Sequence, residues 1–152
     1  MRLYLDSADR SAVCELLDIG IFSGVTTNPT LLARAGLRFE ELPAFYAALV
    51  EAGADEVFLQ AAGTTAAAIE DHGRALAAIG DRVVVKVAAT PIGLAASTRL
   101  VRSGTPVLVT AVYTVAQAVA ASRVPASYIA PYVGRLADSG HDGVAVVTAM
   151  QD

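Results

Sequence analysis

The sequence predicts an α/β protein built on a parallel sheet, and three observations carry that expectation. Short apolar runs with a polar residue at the end recur along the chain, stretches of helical character separate them, and the runs are continuously hydrophobic. Continuous rather than alternating hydrophobicity implies burial on both faces, the mark of a parallel strand clothed in helices.

The first run, Leu3 to Asp6, opens the chain. Gly24 to Asn28, Val57 to Gln60, Val83 to Lys86, Val107 to Thr110 and Tyr128 to Tyr132 follow, with helical stretches such as Leu42 to Ala52, Thr65 to Ile79 and Gly93 to Arg102 between them. The run ends fall about 25 residues apart, which suits repeated βα units. Gly20, Gly36, Gly53, Gly80 and Gly104 punctuate helix ends, where a residue free to take positive φ closes the last turn. Ser103 to Ser122 carries no charge and is long enough to raise the question of a membrane span. Gly104, Pro106, Thr110 and Gln117 interrupt it, so it reads as a buried strand followed by a helix.

No linker or low-complexity stretch divides residues 1–152, so a single domain is expected, large enough to bury roughly 70% of its unfolded surface without staples. Six units suit two architectures. One is a doubly wound open sheet; the other is the first six units of a (β/α)₈ barrel, whose full form takes about 250 residues.

Composition narrows the function. A hydrophobic content of 55% against 17% charged residues excludes disorder, and a net charge of −4 with scattered arginines leaves no footprint for nucleic acid. A small-molecule partner is expected. Cys14 stands alone, which excludes an internal disulfide and suits a reducing cytoplasm, and Met1 to Asp6 enters a strand pattern without signal-peptide features. His72 and His141 are isolated in sequence and expected on an exposed helix and loop, so no metal site is predicted.

Lys86 is the single lysine; the other ten basic side chains are arginines. It sits inside Val83-Val84-Val85-Lys86-Val87, where a strongly hydrated cation needs a reason. The plain reading is a lysine snorkelling from a strand end. The chemical reading is a desolvated amine able to attack a carbonyl. In either architecture chemistry gathers at the carboxyl ends of the strands, where Asp6, Thr26 to Asn28, Gln60, Lys86, Thr110 and Tyr132 all fall. Singly each has a plain explanation: Asp6 or Asn28 as a helix cap, Thr110 as a β-former, Gln60 as a strand end, Tyr132 as a half-buried aromatic. Together they suit Schiff-base chemistry, in which Lys86 forms an iminium that serves as an electron sink for carbon–carbon cleavage. A carboxylate such as Asp6 would shuttle protons, and Gln60, Thr110 and Tyr132 would hold a water acting as acid and base. Asn28 suits a substrate hydroxyl, and Arg135 suits a phosphate or is simply a surface arginine.

At these residues the chain resembles the small transaldolase family. Leu3-Tyr4-Leu5-Asp6-Ser7-Ala8, Gly24-Val25-Thr26-Thr27-Asn28-Pro29-Thr30-Leu31-Leu32, Val84-Val85-Lys86-Val87 and Ala130-Pro131-Tyr132-Val133-Gly134-Arg135-Leu136 carry the resemblance, in order and at correct spacing. It implies a partial (β/α)₈ barrel of the TIM type, truncated after about six units. It also implies Lys86 as Schiff-base residue, Asp6 in proton transfer, Thr26 and Asn28 on substrate, and Arg135 on phosphate. No cofactor is implied; the partners are a sugar phosphate or dihydroxyacetone and further copies of the chain in a homo-oligomer. Gln60 with Tyr132 resembles the fructose-6-phosphate aldolases, as does Val109-Thr110-Ala111-Val112-Tyr113. Gly134-Arg135-Leu136 and Gly140-His141-Asp142-Gly143 resemble the transaldolase branch, and Ala137 stands where an acidic residue is common.

Family members continue for two further strands, whereas this sequence reaches Asp152 within its sixth helix, so reduced or absent activity is expected unless a partner supplies the missing quarter. The rival from another class is a catalytically silent relative, an assembly module or a fragment. Other families fit less well. A receiver domain needs an aspartate where Gln60 stands, a lysine-pair aldolase needs a second lysine, and a dinucleotide-binding domain needs a glycine-rich turn where Asp6-Ser7-Ala8-Asp9-Arg10 stands.

Overall fold

The computed structural model describes residues 1–138, 140 and 142–151. Six strands, β1 (Tyr4–Asp6), β2 (Gly24–Thr26), β3 (Glu56–Gln60), β4 (Val83–Ala88), β5 (Val107–Val112) and β6 (Tyr128–Pro131), form one sheet in chain order, with parallel pairing. Helices alternate with them: α1 (Arg10–Leu17), α2 (Pro29–Arg34), α3 (Leu42–Glu51), α4 (Ala66–Ala77), α5 (Pro91–Arg102), α6 (Val115–Ser122), α7 (Val133–Asp138) and α8 (Gly143–Ala149). A doubly wound sheet reverses its strand order at a switch point, and this order never reverses. The sequential order instead gives six βα units of a TIM-type barrel.

The chain divides into two contact units, residues 1–60 with 74–85 and residues 61–73 with 86–152. In the first, Val13 and Leu17 of α1, Phe45 and Leu49 of α3, Val25 of β2 and Val57 to Leu59 of β3 are buried. Each such side chain contributes roughly 1.5–3 kcal/mol by leaving water. Gly24 of β2 lies in register with Glu56 of β3, and a Cβ there would collide with the Glu56 carbonyl oxygen, so the strands approach through the missing side chain. Tyr4 donates to Glu56 Oε2 at 2.5 Å and stacks edge-on against Phe58 with centroids 5.1 Å apart, while Arg2 reaches the same carboxylate at 3.1 Å.

In the second unit, Val87 of β4, Val107, Val109 and Val112 of β5, Ala96 and Leu100 of α5, and Ala121 of α6 are buried. The helices begin on side-chain caps: Thr90 Oγ1 accepts from Gly93 N at 3.1 Å, Thr114 Oγ1 from Gln117 N at 3.1 Å, and Asp142 Oδ1 from Ala145 N at 3.0 Å.

Burial of β3, β4 and β5 agrees with the continuous hydrophobic runs; β1 and β6 are only half-buried or exposed. The uncharged stretch from Ser103 resolves into β5 and α6, and no helix among the described residues is long and apolar enough to cross a membrane. Several expectations need correction. β4 and β5 run two residues beyond Lys86 and Thr110, because Val87, Ala88, Ala111 and Val112 extend the apolar strand. Gly20, Gly36, Gly53 and Gly104 take positive φ, but Gly80 does not; there a Cβ would strike the Tyr46 ring, whose hydroxyl donates to Asp81 at 3.0 Å. The segment after β6 is two short helices, with Asp142 capping the second. His72 is half-buried rather than exposed, since its Nδ1 accepts from Ala62 N at 3.1 Å; His141 lies outside the described residues.

Candidate active site

The carboxyl ends of the strands carry the candidate residues, and each unit assembles its own set. In the first, Asp6 ends β1 in register with Thr26, the last residue of β2. Thr26 Oγ1 donates to Asp6 Oδ1 at 2.6 Å, so the exposed carboxylate is held by a charge-assisted bond. The next residue, Thr27, is fully buried; its amide and hydroxyl both donate to the Phe58 carbonyl, at 3.0 and 2.9 Å. That double contact was not anticipated, because a threonine inside an apolar run reads as a strand former. Asn28 is the N-cap of α2, with Oδ1 accepting from Leu31 N at 3.0 Å and Pro29 at the first helical position. The cap explanation for Asn28 therefore holds, and Oδ1 is engaged; that for Asp6 does not, since Asp9 caps α1. Gln60 ends β3, half-buried.

In the second unit, Lys86 is only 6% exposed, between Val85 and Val87 at 0% and 1%. The snorkelling reading is excluded by that burial. Its carbonyl accepts from Ala61 N at 2.9 Å, and the Thr110 carbonyl accepts from Ala89 N at 2.8 Å, which ties the ends of β4 and β5. Thr110, 1% exposed, donates through Oγ1 to the Tyr132 hydroxyl at 3.3 Å. Tyr132 follows β6, and its amide donates to the Val112 carbonyl at 3.1 Å. Arg135 sits exposed on α7.

Two residues here were not among the candidates read from the sequence, although Tyr113 closes a segment that carries the family resemblance. Tyr113 sets its ring edge-on to Tyr132, centroids 5.4 Å apart at 76°. Gln117 bridges the loops after β4 and β5, accepting at Oε1 from the Tyr113 and Thr114 amides at 2.9 and 3.1 Å and donating from Nε2 to the Ala89 carbonyl at 3.2 Å. Among the described residues no cluster of three or more His, Cys, Asp or Glu could hold a metal ion.

A model of the family Transaldolase/Fructose-6-phosphate aldolase matches residues 3–152. A protein of Shouchella clausii named probable transaldolase is 37% identical over 154 residues, covering 100% of this chain and 69% of its own length. One of Heliobacterium modesticaldum with the same name is 38% identical over 147 residues, covering 97% and 67%. This chain thus spans about two thirds of the length of those relatives. Among solved structures, the carboxyl transferase domain of Rhizobium etli pyruvate carboxylase superposes with a TM-score of 0.62 over 98% of this chain and 33% of that one, at 14% identity, a likeness of fold alone. The family match along nearly the whole sequence, with relatives above a third identical, establishes that the chain belongs to the transaldolase/fructose-6-phosphate aldolase family.

Proposed function

We propose that the chain carries the Schiff-base machinery of a class I aldolase acting on a ketose phosphate such as fructose 6-phosphate, with Lys86 as nucleophile. The observation that carries this reading is the burial of the single lysine among valines within β4, two residues before its carboxyl end, since an amine kept from water is more readily neutral and nucleophilic. The neutral amine adds to the ketone carbonyl to give a carbinolamine, and loss of water gives an iminium. A base then takes the proton of the β-hydroxyl, and the bond between the α and β carbons breaks, its electron pair passing into the iminium to leave an enamine while the β-carbon departs as a free aldehyde. Protonation and hydrolysis of the enamine release dihydroxyacetone and restore Lys86.

Asp6, its carboxylate set by Thr26, orients a substrate hydroxyl and shuttles protons in this scheme. Gln60, Thr110 and Tyr132 hold the water that exchanges protons with the intermediates; the Thr110–Tyr132 bond supports the pairing. Asn28, with its Oδ1 engaged by the cap, presents its amide N–H groups to a substrate hydroxyl. The exposed Arg135 guanidinium takes the phosphate in a forked contact.

The names of the relatives favour a second reading, in which the enamine attacks another aldose phosphate and the protein is a transaldolase. Both readings share the iminium. The test is incubation with dihydroxyacetone or fructose 6-phosphate, borohydride reduction and intact-mass measurement, with Lys86→Arg as control for the terminal amine. A reduced adduct lost in the arginine variant is expected. No adduct, or one that persists in that variant, sinks the proposal. Adding a second aldose phosphate and following its consumption separates transfer from cleavage.

A further inference from the structure

Ala111 breaks two rules of its own strand. Among the described residues it is the one non-glycine with positive φ, at 56°, a conformation in which its Cβ crowds the backbone. It also lies where the β5–β6 ladder loses register. Val109 pairs with Ile129 and Val112 with Pro131, so Thr110 and Ala111 together face Ala130. That is a β-bulge, rare between parallel strands.

The bulge has a geometric product. In a regular strand residues three apart point to opposite faces, because the side-chain period is two. Thr110 and Tyr113 are three apart, yet both touch Tyr132: Thr110 at its hydroxyl at 3.3 Å, Tyr113 edge-on at its ring at 5.4 Å. One inserted residue shifts the alternation by one and brings both to the same side. The Val112 carbonyl beyond the bulge receives the Tyr132 amide at 3.1 Å. Tyr132 is thus held at backbone, ring and hydroxyl by the residues flanking Ala111.

We propose that the left-handed bulge at Ala111 is a positioning device, which turns Thr110 and Tyr113 together onto Tyr132 and fixes the direction of its hydroxyl. Ala111 and Tyr113 are positioning residues; neither is asked to touch substrate. The consequence for catalysis rests on the reading of Thr110 and Tyr132 as the acid–base pair. The geometric statement does not, and strain held beside a candidate site is where such a device is expected.

The test uses ring-labelled tyrosine in the full chain, with the Tyr132 resonance assigned through Tyr132→Phe. Glycine accepts positive φ freely, so Ala111→Gly should leave the Tyr132 resonance in place. Valine resists that conformation, so Ala111→Val should displace the resonance and lower kcat by about tenfold or more with KM little changed. A folded Ala111→Val with the wild-type resonance and kcat overturns the proposal. Should that variant fail to fold, Tyr113→Ala decides: displacement of the resonance, restored in Tyr113→Phe, supports the device, and an unmoved resonance overturns it. The resonance needs no turnover. Absence of a Lys86 adduct in the unaltered chain would therefore remove the Schiff-base reading while the bulge was judged separately.

Discussion

Lys86→Ala measures how much the stem of a buried lysine contributes to packing. At 6% exposure, with Val85 and Val87 at 0% and 1%, the side chain has surrendered nearly all its contact with water. Its four-carbon stem packs as an unbranched apolar chain does, and truncating such a chain in a core costs about 2–5 kcal/mol through lost burial and the cavity left behind. At about 2–4 °C per kcal/mol for a chain of this size, the melting temperature should fall by about 4–20 °C. Thermal unfolding followed by circular dichroism, under reversible conditions and in one buffer, measures this directly, with borohydride trapping on the same samples. An unchanged or raised melting temperature would refute the reasoning. It would mean that the valines around residue 86 close over the shortened side chain without loss, so that the stem is no part of the packing.

Gly24→Ala should destabilise the protein by about 1–3 kcal/mol, because the added Cβ meets the Glu56 carbonyl and neither backbone can yield cheaply; an unchanged urea midpoint would contradict the close approach. Burial pushes the Cys14 thiol above its usual pKa, with Arg10 opposing and Asp18 and Glu51 adding to the rise. A raised pKa leaves less thiolate at any given pH, so labelling by a disulfide reagent should be slower than for a free cysteine at pH 7 and should accelerate at higher pH than usual. Rapid labelling at neutral pH would count against it.

The central strands β3, β4 and β5 were legible because burial on both faces writes itself as unbroken apolar runs; polar strand ends marked Asp6 and Gln60, whereas Lys86 lies inside β4. Lys86 stood out by composition, and its burial turned that oddity into a physical fact. The choice between open sheet and barrel was not legible in the hydrophobic pattern; the family resemblance made it for the barrel, and the strand order bears it out. That choice depends on which strands pair, and runs of valine pair equally well with any neighbour. Gly80 misled because the sequence does not distinguish a glycine needed for its φ from one needed for room beside Tyr46. Ala111 was invisible for the opposite reason: alanine announces no turn, and its conformation is imposed by the strands around it. Tyr113 and Gln117 act through contacts with residues close in space, which spacing along the chain does not report.

The paired hydrogen bonds from Thr27 to the Phe58 carbonyl anchor the chain to β3 one residue before the cap of α2. α2 has six residues, none of them buried, so little holds it in place once its cap opens. Thr27 is fully buried and bound through both amide and hydroxyl, so it should exchange its amide proton only when the strands themselves part. Melting of α2, which frees the Asn28 side chain from its cap, and release of Thr27 from β3 thus become separate events, with separate free energies. Substitutions along the exposed face of α2 can accumulate without loosening Thr27.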